Sequence, residues 1–462
     1  MTFPARAGQS LLLATACCSL ALFAPAQSPE APFTADSAHR LGTTDVFGPS
    51  VEDYLSAAVG APVSFASPVP VTHAAPRTPP LPAGQNVLLA DYLRAPTIDD
   101  QTGLRRLAEN FDLLVLHEWH SSKIPLFRQT NPDIVILLYK TRGLMLSDSQ
   151  EGVENYNNVK QYDFAFMHDA SGNHIFWDWN LDGRMDVASP RPEVVAYQDF
   201  FYDRALASVS QGGFDGLLID DVWSSEGVQN TPDAIEYSNA NNSEALQAAM
   251  TSYLAAGYQR TRTTGQLLAA NIGWWQQLTA SGGRTGRRYM EQLDIAMQEK
   301  FFVNYTTHWN TGESWFTEIN ALIRDMRETG RTLICHTRGD TADQLTMLYA
   351  LGSYLCLTDR DGRAALSHLD QRSSSRIPPI YPEYDLAEEL GAPVYDVRWH
   401  SGHGCGYRRF ANGYVVVNPN STSRTIPELA GLYDVYGVRV PSSGFRLPGH
   451  SAMLFFDSPV QR

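Results

Sequence analysis

The sequence predicts an α/β fold: a (β/α)8 TIM barrel followed by a small antiparallel β domain. Three observations carry this. Eight short apolar runs recur within residues 86–390, nearly all closed by polar or aromatic residues. The stretches between them are long enough for helices, the alternation expected of a parallel sheet closed into a barrel. Across residues 391–462 the texture changes to short strands joined by Asn, Gly, Pro and Ser turns.

The runs, in order, begin with Leu113–Leu116, ending in His117-Glu118-Trp119-His120. Ile134–Leu138 follows, ending in Tyr139-Lys140, then Phe164–Met167, ending in His168-Asp169. That third assignment competes with the segment just before Asp186. The fourth run, Leu217–Ile219, lies in Gly213-Phe-Asp-Gly-Leu-Leu-Ile-Asp-Asp-Val-Trp223 and ends in Asp220 and Asp221. The fifth, Leu267–Ala270, leads into Asn271-Ile-Gly-Trp274-Trp275, and the sixth, Ile295–Met297, into Gln298-Glu299-Lys300. Leu333–Cys335 precedes His336-Thr-Arg338, and Tyr354–Leu357 precedes Thr358-Asp359. Apolar residues at helical spacing mark Glu244–Gln259 and Ser314–Glu328 as two of the intervening helices. Gly413–Asn418, Leu432–Val440 and Ser451–Phe456 read as strands of the trailing domain.

The chain has 462 residues, 43% of them hydrophobic, enough for one large domain and a smaller one. A net charge of −15 argues against nucleic acid or an anionic membrane as the main partner. Residues 1–26 read as a secretory signal: Arg6, an apolar stretch from Leu11 to Phe23, then Ala24-Pro25-Ala26 as a small-x-small cleavage site. A secreted or periplasmic protein is expected, with no membrane span in the mature chain. Cys17 after Ala14-Thr15-Ala16 is a faint lipidation signal that lacks the Leu three positions before the cysteine. Residues 27–85 are Pro- and Ala-rich and read as a linker, with one short helix between Asp45 and Val59. Cys335, Cys356 and Cys405 are an odd, sparse set, most simply buried thiols.

Parallel barrels carry their chemistry at the C-terminal ends of the strands. Asp220 and Glu299 end the fourth and sixth runs, with one strand between them, so both can face one mouth. Two carboxylates there suit glycosidic cleavage: one as nucleophile or base, the other, with a raised pKa, protonating the leaving oxygen. Either acid could instead be a structural ion-pair partner, Glu299 for example with a Lys or Arg of a neighbouring strand. Trp119, Trp223, Trp274, Trp275, Phe301, Tyr305 and Trp309 crowd the same loops, where sugar rings could stack on some while others pack. His117, Glu118, Lys140, Asp221, Asn271, His336, Arg338 and Asp359 are the polar groups expected to meet the hydroxyls. No cofactor is expected.

The strand-four phrase from Gly213 to Trp223 resembles the motif of the hypothetical glycosyl hydrolase family 15 (GHL15), related to endo-α-1,4-polygalactosaminidases and, more distantly, to α-galactosidase and α-amylase barrels. Asn131-Pro-Asp-Ile-Val-Ile-Leu-Leu-Tyr139 is similar to that group's second strand, and Asp186–Tyr197 to the approach to the helix before strand four. Met297-Gln-Glu299 falls where such barrels keep their second acid. The resemblance implies Asp220 as nucleophile or base, Glu299 as acid/base, Asp221 as a supporting group, and a poly- or oligosaccharide substrate.

Two metal readings remain. Asp178-Trp-Asn180-Leu-Asp182-Gly183 matches the start of an EF-hand-like calcium loop, but position 12 is Ser189 instead of Glu. His117 and His120 lack the His-x-His spacing of metal-dependent barrel hydrolases and would point to opposite faces of a strand. A metal-dependent hydrolase therefore stands behind two other readings: the carboxylate glycosidase, and a non-catalytic carbohydrate-binding barrel that keeps only the aromatic platform.

Overall fold

The computed structural model describes residues 51–59, 81–92, 101–145, 160–177, 187–222, 236–237, 242–272, 285–305, 307–308, 310–340, 342–370 and 379–460. The signal segment, the calcium-loop residues Asp178, Asn180 and Asp182, and Trp223, Trp274, Trp275 and Trp309 lie outside the described residues.

Eight parallel strands form the barrel in chain order: β1 Ala90–Tyr92, β2 Leu113–Leu116, β3 Val135–Thr141, β4 Gly216–Asp220, β5 Leu267–Asn271, β6 Ile295–Asn304, β7 Thr332–Arg338 and β8 Ala364–Leu369. The ring closes through a parallel bridge between Leu89 and Leu366, where the Leu366 N–H donates to the Leu88 carbonyl at 2.8 Å. A helix follows each strand: α2 Gln101–Asn110, α3 Ile124–Thr130, α4 Val195–Gly212, α5 Asn242–Thr264, α6 Thr285–Met290, α7 Glu313–Thr329, α8 Gln344–Leu357 and α9 Pro382–Glu388. An antiparallel sheet of Arg398–His400, Cys405–Phe410, Gly413–Asn418, Ser451–Phe456 and Tyr433–Asp434, paired in that order, completes the chain. No helix among the described residues is long and apolar enough to cross a membrane.

Side-chain alternation sorts the strands into two layers. Leu113, Val115, Val135, Leu137, Leu218, Ala269, Met297, Ile334 and Ala365 fill the barrel interior. Leu114, Ile136, Leu217, Ile219, Leu268, Ala296 and Cys335 face the helices. The strand-four phrase shows how sequence fixes this locally. Gly213 ends α4 with φ 76°, a left-handed turn that glycine adopts without a Cβ clash. Asp215 then accepts from the Ile136 backbone N–H at 2.7 Å and from Arg128 at 2.9 Å, which sets the register of β4 on β3.

The structure corrects three strand assignments. The first strand is Ala90–Tyr92, inside a stretch with no run of its own in the sequence reading. Phe164–Met167 is no barrel strand. Phe164 and Ala165 belong to a 3-10 turn, Asp163–Ala165, in an excursion between β3 and α4, and Phe166 bridges to Pro190. Tyr354–Leu357 is the last turn of α8, and the eighth strand is Ala364–Leu369. Helix α8 is buried from Thr346 to Leu357 because it lies between the barrel and the β domain. An apolar run of that kind carries no periodicity to separate strand from helix. A short helix α1, Val51–Ala58, packs on α4: Leu55 is buried, and the Tyr54 hydroxyl donates to Asp203 at 2.6 Å.

Candidate active site

The alternation that fills the barrel also places its polar ends. One step beyond Leu218, Ala269 and Met297 on the inward face come Asp220, Asn271 and Glu299. Tyr92 and Tyr139 are the inward residues at the ends of β1 and β3. These side chains meet at the C-terminal mouth. The Tyr92 and Tyr139 hydroxyls donate to Asp220 Oδ2 at 3.0 and 2.8 Å. Asn271 Nδ2 and the Asp221 backbone N–H donate to Asp220 Oδ1 at 2.8 and 2.9 Å.

The same Asn271 nitrogen donates to Glu299 Oε2 at 3.1 Å. The two bonds, 2.8 and 3.1 Å, cap the separation of Asp220 Oδ1 and Glu299 Oε2 at their sum, 5.9 Å. An amide nitrogen carries two hydrogens roughly 120° apart, and one to each carboxylate sets those oxygens about 5 Å apart. The other Glu299 oxygen, Oε1, is ion-paired with Arg338 of the neighbouring strand β7.

The backbone is strained just after both acids. Asp221 has φ 63° and Lys300 has φ 60°, left-handed values that cost a non-glycine residue about 1–2 kcal/mol. At β6 the strain belongs to a bulge: the register with β7 runs His336 to Glu299, then Arg338 to Asn304. Bulges of this kind re-aim side chains beside active sites.

Electrostatics separate the two adjacent aspartates. Burial pushes the Asp221 carboxyl well above the usual range, and the neighbouring charge of Asp220 adds to it; the Thr141 hydrogen bond and the Arg142 charge oppose this without reversing it. Burial and the Asp220 charge thus favour the protonated form of Asp221, whose side chain accepts from the Thr141 hydroxyl. Burial, followed by the Asp220 charge, raises the Tyr92 and Tyr139 phenols well above their ordinary value, so both stay donors. Burial lowers His117 to about 3, with His120 and Lys140 helping, which leaves a neutral imidazole. Its ring stacks on Trp119 at 4.1 Å and 11°, and Trp119 is 61% exposed.

Of the residues expected at the site, Asp220, Asp221, Asn271, Glu299 and Arg338 converge, with His117 5.0 Å from the Tyr139 ring. Others are placed differently. His336 is fully buried, its ring 5.1 Å from the Tyr92 ring and its Nδ1 2.9 Å from the Ser367 hydroxyl. Lys140 alternates with the inward Tyr139 and so faces the helices, where it pairs with Glu118 at 2.6 Å. Burial would raise the Glu118 carboxyl, but Lys140 and Ser208 of α4 hold it below its usual value. Asp359 is a correction. It precedes β8 at the opposite end of the barrel, where it binds Arg408 at 2.6 Å and Arg327 at 2.7 Å. Phe301 is core, while the Tyr305 hydroxyl reaches Asp370 at 3.3 Å.

Tyr92, Tyr139, Thr141 and Arg142 were missed by the sequence reading. Parity from Leu137 would have found Tyr139, but a continuous apolar run hides which residues face inward. Arg142 is 2% exposed and donates to the Asp221 and Pro190 carbonyls at 3.2 and 2.8 Å, tying the end of β3 to that of β4. Among the described residues, groups that could ligate a metal are Asp163, His168 and His174, and His400, His403 and Glu428; His117 and His120 belong to neither.

Residues 128–414 match the family model described as hypothetical glycosyl hydrolase family 15. Comparison with curated proteins gives no match. Solved structures of similar fold include the glycoside hydrolase domain of PelA from Pseudomonas aeruginosa, at 10% identity over 64% of this chain and 100% of that one, TM-score 0.40. The noncanonic maltogenic alpha-amylase AmyB from Thermotoga neapolitana matches at 11% over 80% and 99%, TM-score 0.42. A variant of the trehalose-6-phosphate hydrolase TreA from Bacillus licheniformis matches at 9% over 81% and 99%, TM-score 0.46.

Proposed function

We propose that this chain, which belongs to hypothetical glycosyl hydrolase family 15, is an exported retaining glycosidase that cleaves a poly- or oligosaccharide with Asp220 as nucleophile and Glu299 as acid/base. The single observation that carries this reading is the Asn271 nitrogen shared by both carboxylates. Retaining glycosidases hold their two carboxyl groups about 5–5.5 Å apart, whereas inverting ones leave about 6.5–9.5 Å for a water. A ceiling of 5.9 Å between the facing oxygens Asp220 Oδ1 and Glu299 Oε2 lies nearer the retaining range than the inverting one.

In the first step a carboxylate oxygen of Asp220 bonds to the anomeric carbon while the bond to the leaving oxygen breaks and Glu299 gives that oxygen its proton. In the second, Glu299 takes a proton from water, which displaces Asp220 from the sugar. The Tyr92 and Tyr139 hydroxyls, Asn271 and the Asp221 N–H orient the nucleophile. Burial and the Asp220 charge disfavour a second negative charge on Asp221 beside it. The Trp119 face, backed by the neutral His117 ring, offers a stacking surface for a sugar at the rim. Glu299 needs its proton to act as acid, and Arg338 favours the charged form. Substrate must therefore draw Arg338 away, and the charge of Asp220 then favours protonation of Glu299.

The Arg338 contact is also the observation that favours a second reading, a barrel that binds carbohydrate without cleaving it. One experiment separates the two: reducing-end release from a panel of α- and β-linked polysaccharides, amino-sugar polymers included, by wild type, Asp220→Asn and Glu299→Gln. Glycosidase action predicts activity in wild type, abolished by the first substitution and reduced about 10²–10⁴-fold by the second. Activity that survives both changes would remove these residues from the mechanism. Glycan binding with no cleavage by wild type would establish the binding module. Export follows from the reading of residues 1–26, and N-terminal sequencing of mature protein should begin at Gln27.

A further inference from the structure

A second cluster lies in the excursion between β3 and α4. His168 and His174 face each other across the neck of a hairpin, joined by an antiparallel bridge. Asp163, from the 3-10 turn before it, places Oδ1 at 2.9 Å from His168 Nε2 and 3.0 Å from His174 Nε2. Both imidazoles are only 10% exposed, and the Phe166 ring stacks on His174 at 4.5 Å. His168 has a second carboxylate on its other nitrogen: Nδ1 lies 2.6 Å from Glu236 Oε1, and Glu236 Oε2 accepts the His168 backbone N–H at 3.1 Å. Glu236 comes from the segment between β4 and α5.

We propose that Asp163, His168 and His174 bind one divalent transition metal of the zinc class, with Glu236 orienting His168, in a site that is separate from the carboxylate pair. Two imidazoles and one carboxylate suit zinc and exclude calcium and magnesium, which take oxygen ligands. Zinc bonds of about 2.0–2.1 Å in a tetrahedron set ligand atoms about 3.3 Å apart, a few tenths of an ångström wider than the 2.9 and 3.0 Å contacts here. The Glu236–His168 pair is the carboxylate–histidine arrangement that fixes a metal-binding tautomer, with Nδ1–H to the carboxylate and the Nε2 lone pair to the metal. The metal would join two segments of the chain, one following β3 and one following β4. The cluster of His400, His403 and Glu428 differs: Glu428 is 58% exposed and His400 41% exposed, and it serves as the control.

The test is metal content and zinc titration of the untagged full chain after chelation and reloading with Zn²⁺. About one zinc per chain is expected for wild type, His403→Gln, Asp220→Asn and Glu299→Gln. Asp163→Asn and His174→Gln should lose it, and Glu236→Gln should weaken it about 10–100-fold. Co²⁺ loading should give the visible bands of a low-symmetry site in wild type and not in Asp163→Asn. Asp163 is 72% exposed, so its substitution leaves the fold intact even where His174→Gln does not. Failure of wild type to hold stoichiometric zinc, or retention of zinc by Asp163→Asn and His174→Gln, overturns the proposal. Loss of zinc in Glu299→Gln or Asp220→Asn would move the metal to the catalytic pair and overturn it equally.

Discussion

Arg338 and Asn271 both contact Glu299. Removing the guanidinium leaves Glu299 beside Asp220 alone, so its proton is lost at higher pH. For Arg338→Gln the alkaline limb of the kcat/KM profile, which reports loss of the acid's proton, should move upward, while the maximum falls. A downward or unchanged limb would show that Glu299 is not the acid. Tyr139→Phe deletes one hydrogen bond to a charged carboxylate; such bonds are worth about 1.5–3 kcal/mol, so kcat/KM should fall about 10–100-fold with the fold intact by circular dichroism. Lys300→Gly relieves a left-handed φ of 60°. Urea unfolding should show a gain of about 1 kcal/mol, at some cost in activity if the bulge aims Glu299.

Among the elements, α8 is buried along nearly its whole length. A Cβ at Gly352 would sit 2.3 Å from the Ala452 Cβ and 3.2 Å from Val417, so the helix meets the β domain at glycine contact. Its C-terminal carbonyls from Leu355, Cys356 and Thr358 are capped by the buried Arg408 guanidinium at 3.1, 3.3 and 2.6 Å. Arg408→Leu strands those carbonyls and one face of Asp359, and should cost about 3 kcal/mol in urea unfolding. A loss under about 0.5 kcal/mol would show that water replaces the guanidinium. This packing also explains the error at the eighth strand. Burial on two sides makes α8 apolar all round, so the sequence around Tyr354 shows no helical period, while the true strand holds Ser367 and His368 in its run. Strands four to seven were legible because each is a brief apolar run that stops at a polar residue.

For the whole molecule, a buried histidine predicts acid lability. His368 faces the helices on β8, and burial lowers it to about 4, against the opposing charges of Asp343, Asp370 and Asp340. Its unfolded value is near 6.5, so between about pH 4 and 6.5 the unfolded chain binds the extra proton and stability rises with pH. Wild type should lose stability as pH falls through that window, and His368→Leu should lose less, as read from urea midpoints at pH 7.5 and 5; equal losses would assign the lability elsewhere. The sequence alone determined the alternation of strand and helix, the one-strand spacing of Asp220 and Glu299, and the change to β texture near the end, because each is a local pattern of apolar runs, turns and polar stops. Only the tertiary structure decided the rest. It supplied a first strand of three residues whose inward Tyr92 holds Asp220, moved Asp359 to the far end of the barrel, buried His336, and set Asn271 and Arg338 on Glu299. Those outcomes depend on which face a side chain takes and which distant segment packs against it, and neither is written in the order of residues along the chain.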